Sequence, residues 1–231
     1  MTTTDTIFFK KSYSPTAISL ILAFLPFTSF STEKEERQRI EIDATNGNVK
    51  SQVIMGDIYY FGENDVKQDL GKAHHWYSLA AKQGDLDSLV FLGDMYLNGE
   101  GVKQNPKTAM KLYNIAAKKG DADAQYMMGY LHGNGKGVTQ SFILAKYWYD
   151  KAAVKRHIKA QYELGEIYYH GRGVKINHSQ ARYWYELAAN NGLADAQLKL
   201  GWLYQNGLGG KKDSAAAKRF YEAANLLQLQ H

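Results

Sequence analysis

The chain has 231 residues, 45% of them apolar and 22% charged, which excludes wholesale disorder and allows one large domain or a run of small repeated units. With no cysteine, a disulfide framework, a thiolate metal site and a cysteine nucleophile are excluded. The net charge of +5 arises from 28 basic and 23 acidic residues that form no block of five like charges, so no clustered nucleic-acid footprint is visible.

Residues 1–32 differ from the rest. Lys10 and Lys11 form a basic step, residues 12–32 carry no charge, and Ala17 to Phe27 make an apolar centre interrupted by Pro26. Ser29 and Ser31 put small residues at −3 and −1 of a cut after Ser31. This predicts a secretory signal peptide over 1–31, with an uncleaved inner-membrane anchor as the alternative. Residues 32–47 follow as a charged N-terminal capping helix, whose Asp43-Ala44 stands where later units have Ala-Ala.

A repeat governs the remainder. Glycines recur at Gly56, Gly93, Gly129, Gly165 and Gly201, and alanines recur every 36 residues at Ala80, Ala116, Ala152, Ala188 and Ala224. The single extra residue in the first interval falls near Glu63-Asn64-Asp65. Five units result: 48–84, 85–120, 121–156, 157–192 and 193–231. Each reads as helix A, a glycine-rich break, helix B and a second break. In the fourth unit, 160–169 is helix A, 178–189 is helix B with Ser179 near its start, and Gly192 suits a left-handed cap. The mid-helix glycine admits a close neighbour. The aromatic pairs Trp76-Tyr77, Trp148-Tyr149, Trp184-Tyr185 and Phe220-Tyr221, with Leu112-Tyr113 instead in the second unit, fill the space between helices. A tyrosine follows each glycine by three, except that His132 replaces it in the third unit, which predicts a looser layer there. At the C-terminus, Leu226, Leu227 and Leu229 extend the last helix, either packing back on the fifth unit or offering a contact patch.

The strings 92–102 (LGDMYLNGEGV), 128–138 (MGYLHGNGKGV) and 164–174 (LGEIYYHGRGV), with the KA-x-x-WY-x-x-AA segments that follow, resemble the Sel-one-like repeat (SLR), a relative of the tetratricopeptide class. The resemblance covers residues 48–228. It implies an all-α fold, an α-α solenoid wound as a right-handed superhelix, with helix A inside and helix B outside, acting as an adaptor for other proteins. The chain departs from the pattern at Arg156, where other units have Gly84, Gly120 and Gly192, so that connection is expected to differ. The fifth unit reads GLGGKKD (207–213), which is read as losing the GxGV form. The paired cysteines of the SLR branch linked to β-lactam binding and hydrolysis are absent, which weakens that enzymatic alternative.

Positions that vary on one face of helix A carry specificity in such an array. Three before, one after and four after the glycine share a face. There the chain offers Asp57, Tyr60, Asp94, Tyr126, Tyr130, Tyr162, Glu166, Tyr169 and Trp202, an aromatic groove with acidic points suited to a protein partner. The competing reading is ordinary packing between repeats, because helical spacing alone leaves the rotation of helix A open. Catalytic patterns are thin. His74 and His75 are adjacent and point apart, His170 and His178 flank one loop, GNGKG (133–137) aligns with inter-helix turns, and Ser141 has no recognisable base. The expectation is a non-enzymatic, exported protein-binding scaffold in a bacterial periplasm or outside the cell. Its job there is envelope-complex assembly or immunity-type inhibition of a secreted effector. It takes no metal, no cofactor and no nucleic acid, and meets the membrane only if the N-terminal segment is retained.

Overall fold

The computed structural model describes residues 33–62 and 66–228, excluding the side chains of Glu33 and of 226–228. The N-terminal segment read as a signal, the inserted residue near Asn64, and the side chains of Leu226, Leu227 and Leu229 lie outside the described residues. Among those described, every regular element is an α-helix. The order is α1 (Glu33–Thr45), α2 (Val49–Phe61), α3 (Leu70–Lys82), α4 (Leu86–Asn98), α5 (Pro106–Lys118), α6 (Ala122–Asn134), α7 (Phe142–Ala153), α8 (Ile158–His170), α9 (His178–Asn190), α10 (Ala194–Asn206) and α11 (Ser214–Gln228). The architecture is that of an α-α solenoid. The chain divides into two compact units, up to Leu112 and from Tyr113, so the boundary falls inside α5.

Among the described residues, α2 to α9 and α11 begin where the sequence supplies a side-chain acceptor. Asn48, Asp85, Asp121 and His157 accept the backbone N–H three residues on at the starts of α2, α4, α6 and α8. Asp69, Asn105, Ser141, Asn177 and Asp213 do the same for the B helices. Asn177, rather than Ser179, therefore starts α9. Only Leu193, before α10, provides no side-chain cap.

In the first unit, Ile40 and Ala44 of α1 pack with Met55 and Ile58 of α2. The charged first helix thus supplies the apolar cover of a helix B. Next, Ala73 and Tyr77 of α3 cluster with Phe91, Leu92 and Met95 of α4. In the second unit, Ala181, Tyr185, Ala188 and Ala189 of α9 pack with Ala196, Leu200 and Leu203 of α10. Helix-A glycines receive the second aromatic of their own repeat's pair. A Cβ on Gly129, Gly165 or Gly201 would lie 2.5, 2.5 or 2.7 Å from the rings of Tyr149, Tyr185 or Tyr221, and Gly56 meets Tyr77 in the same way. The recurrent glycine is therefore a socket for a tyrosine ring. His132 is buried, where the tyrosines at this position in the other units are half-buried.

A second recurrent device ties four of the five repeats to the helix before them. Gln52, Gln125, Gln161 and Gln197, each four residues before the glycine, donate Nε2 to the carbonyls of Ala44, Ala117, Ala153 and Ala189 at 3.0, 3.0, 3.3 and 3.2 Å. These bonds satisfy carbonyls left over at the end of the preceding helix B. Leu89 occupies the position in the second repeat.

Two expectations are corrected. Arg156 takes φ +64°, against +97° at Gly120 and +83° at Gly192, and closes the same turn: its N–H donates to Ala153, and that of His157 to Ala152. The third-to-fourth connection is therefore conserved in shape, at a cost of about 1 kcal/mol for a left-handed residue bearing a Cβ. The fifth unit also keeps its turn. Gly207 and Gly209 adopt φ +66° and +74°, close to the +68° and +72° of Gly171 and Gly173. The second glycine of each pair lies against the start of the previous helix B: Gly173 faces Phe142 and Gly209 faces the carbonyl of His178. Only the valine of GxGV is lost.

Candidate functional site

The acidic residues of the predicted face have a structural duty. Tyr77 and Tyr185 are fully buried, and a buried phenol needs an acceptor. The hydroxyl of Tyr77 donates to Asp57 at 2.7 Å, and that of Tyr185 donates to Glu166 at 2.6 Å. Glu166 also receives Lys199 at 2.9 Å and His170 at 3.2 Å. Burial pushes its carboxyl up. The hydrogen bonds from Tyr185 and Lys199, with the charges of Lys199 and His170, outweigh this and hold it below the ordinary carboxylate value. Burial, with Glu166 as acceptor, pushes the Tyr185 phenol up.

In the first unit, Asp57, Tyr60 and Asp94 are each half-buried. Tyr60 donates to Glu100 at 2.6 Å, and its ring lies 6.1 Å from that of Phe91. In the second unit, Tyr126 is only 6% exposed, its ring stacked 4.6 Å from that of His157. His157 caps α8 through Nδ1 and faces Asp123 at 3.3 Å through Nε2. Tyr126 is thus inter-repeat packing and offers a partner almost no surface.

The remaining predicted residues of the second unit come together on α6, α8 and α10. A cleft of about 260 Å³ is lined by Tyr130, Phe142, Tyr149, Tyr162, Glu163 and Arg172, among others. A second, of about 350 Å³, is lined by Tyr162, Tyr169, Asp195, Lys199 and Trp202, among others. Tyr162 lines both, so the two clefts adjoin at its ring, and together they are called the furrow. Trp202 is 42% exposed and meets Tyr169 edge-on at 5.8 Å, and the Lys199 ammonium lies 5.7 Å from the Tyr169 ring centre. Tyr130 is half-buried, its hydroxyl accepting from Lys136 at 2.7 Å.

Among the furrow residues that were not predicted are the charged Glu163 and Lys199 of helix A. The signal was present: two residues before the glycine the other units have Ile54, Phe91 and Met127, and only here does the position turn charged. Burial first, then the charge of Glu166, raises the Glu163 carboxyl to about 7, with Arg172 pulling the other way. Among the described residues no group of three or more His, Asp or Glu side chains could hold a metal ion, and no helix is long and apolar enough to cross a membrane.

Comparison with known proteins agrees with this architecture. A Sel1 repeat protein from Oxalobacter formigenes superposes with a TM-score of 0.77 at 32% identity, covering 84% of this chain and 57% of that one. The protein c5321, a protective antigen of uropathogenic Escherichia coli with an SLR fold, gives 0.67 at 26% identity, covering 84% of this chain and 50% of that one. The ERAD-associated E3 ubiquitin-protein ligase component HRD3A of Arabidopsis thaliana is 36% identical over 69 residues, 30% of this chain and 10% of that protein. The chain therefore spans little more than half the length of these solved structures and a tenth of HRD3A. The Sel1 repeat family model matches at 49–85, 86–121, 122–153, 158–193 and 194–228, covering most of the sequence. With five such matches over helix pairs built on one glycine–tyrosine register, the chain belongs to the Sel1 repeat family.

Proposed function

We propose that the furrow on α6, α8 and α10 grips an extended segment of a partner protein, and that the chain is a non-catalytic scaffold. The observation that carries this reading is the exposed Trp202 beside Tyr169 and Tyr162. These are large rings at modest entropic cost, in a cleft that the tyrosine–glycine packing leaves open. Buried repeat-building residues such as Tyr149 and Tyr185 form the floor of the furrow, whereas its more exposed residues, Tyr130, Tyr169 and Trp202 among them, vary from unit to unit.

The basic step, apolar run and small residues of the N-terminal segment support export. N-terminal sequencing of the native protein should then begin at Thr32, and an intact Met1 would contradict cleavage. Outside the cytoplasm, two jobs suit such a surface: organising an envelope complex, or capturing a secreted effector.

Tyr130→Ala combined with Trp202→Ala removes both ends of the furrow without touching the buried tyrosines. The double variant should keep its helical circular dichroism and lose at least about tenfold in affinity for a partner captured from the native host. Unchanged affinity would remove this face from consideration.

A further inference from the structure

The end of α7 breaks the repeat in three places within six residues. Lys151 stands where the other units have Leu79, Ile115, Leu187 and Ala223. Val154, 75% exposed, stands where the first, second and fourth units have Lys82, Lys118 and Asn190, while the fifth has Leu226. Arg156 occupies a left-handed position that three other units give to glycine. Polarity is inverted at the first position against every other unit and at the second against the first, second and fourth units, and backbone strain is accepted at the third. The scaffold needs none of these changes: Val154 points to solvent, and the Lys151 ammonium sits 4.9 Å from the Tyr147 ring centre.

Lys151 and Val154 line a depression of about 470 Å³ between the end of α5 and α7, and Arg156 directly follows Lys155 of the same lining. Ala117, Tyr147, Trp148 and Val154 form apolar walls, and Lys118, Lys151 and Lys155 stand around them. Ile143, 69% exposed, and Tyr147, 50% exposed, continue the apolar strip along α7. Its opposite flank, Ala145 and Tyr149, serves the furrow, so the two surfaces are separate.

The local charge is one-sided. Residues 113–156 hold seven basic and three acidic side chains. All three acids are engaged: Asp121 caps α6, Asp123 faces His157, and Asp150 pairs with Lys146 at 2.7 Å. Among the described residues, no ion pair engages Lys118, Lys151, Lys155 or Arg156; Lys155 donates to the carbonyl of Gly120.

We propose that this depression docks an acidic segment of a protein, with an apolar side chain against Tyr147, Trp148 and Val154 and flanking carboxylates on Lys118, Lys151, Lys155 and Arg156. A phosphate backbone has no side chain to fill an apolar-walled depression, and a bilayer takes a convex apolar ridge rather than a concavity. Charge complementarity sets the sign of the partner, and the walls set its anchor.

The test uses the full chain and a labelled peptide of Glu and Leu with a central Trp, read by fluorescence anisotropy. Saturable binding is expected. It should weaken about tenfold in Lys151→Glu/Lys155→Glu, in Val154→Lys and on raising the salt. Arg156→Gly should weaken it too while raising Tm, which separates lost contact from lost fold. Trp202→Ala should leave it unchanged, since the furrow is a different site. Equal affinity for the Lys/Leu counterpart, indifference to all three α7 variants, loss on Trp202→Ala, or preference for an oligonucleotide or anionic phosphatidylglycerol vesicles would each overturn the proposal.

Discussion

Gly165→Ala should destabilise the second unit by about 3 kcal/mol, measured by urea unfolding. A Cβ at this position lies 2.5 Å from two ring carbons of Tyr185, a distance no real contact tolerates. Tyr185 is fully buried, is 5.6 Å from the Tyr162 ring, and is tied through its hydroxyl to Glu166, so the ring has no room to retreat. Intrinsic propensity favours alanine in a helix by roughly 1 kcal/mol, so a loss of stability would show that packing has reversed the sign of that preference. Tyr185→Ala should itself cost about 3–5 kcal/mol through lost burial and a cavity. The pair should be strongly non-additive, because once the ring is gone the new methyl has space. Additive losses would mean that the ring and the glycine are not partners.

The second large effect concerns Glu163. Its carboxyl is raised to about 7 from an ordinary 4.5 by burial and by the neighbouring charge of Glu166. Between those values the folded chain keeps a proton that the unfolded chain has released, so stability falls as pH rises through that window. Above about pH 8 the folded state carries the whole cost of a buried anion next to another. Glu163→Gln removes that cost. It should raise stability by about 2–3 kcal/mol at pH 8 and leave it nearly unchanged at pH 4. Glu166 works in the opposite direction, contributing stability that is lost as pH falls, but it is present in both proteins and cancels in the comparison. Equal stability of the two proteins at both pH values would contradict the account. A variant that gains stability at the edge of the furrow would also show that this charge is retained at the scaffold's expense.

Much of the fold was legible because repetition amplifies weak signals. A glycine in mid-helix is ambiguous once, whereas five in register with Tyr77, Tyr113, Tyr149, Tyr185 and Tyr221 define the unit. The rotation of helix A was not legible. Spacing places Asp57 and Glu166 on one face with the aromatics, but only coordinates show that the buried tyrosines reach them as donors. Tyr126 was misplaced for the same reason, since its stacking partner His157 lies in the next repeat, 31 residues away in sequence. The glutamine present in four of the five repeats was visible as a recurrence, yet its meaning depends on a carbonyl left over across the turn. Arg156 shows the limit of reading conformation from composition. The turn bonds to Ala152 and Ala153 form around a left-handed residue here as at the glycines, and a non-glycine residue accepts that conformation. Glu163 and Lys199 were the most recoverable omissions, because a charge where other repeats place Ile54, Phe91 and Met127 is itself a sign of surface put to use.

Hydroxyl-radical footprinting of the full chain with its captured partner tests the furrow most directly. Trp202, Tyr169, Tyr162 and Tyr130 should be oxidised markedly more slowly in the complex, while exposed rings away from the furrow, such as Tyr183, keep their rates. Oxidation of Trp202 and its neighbours at the rate of the free protein, with protection elsewhere, would contradict the assignment.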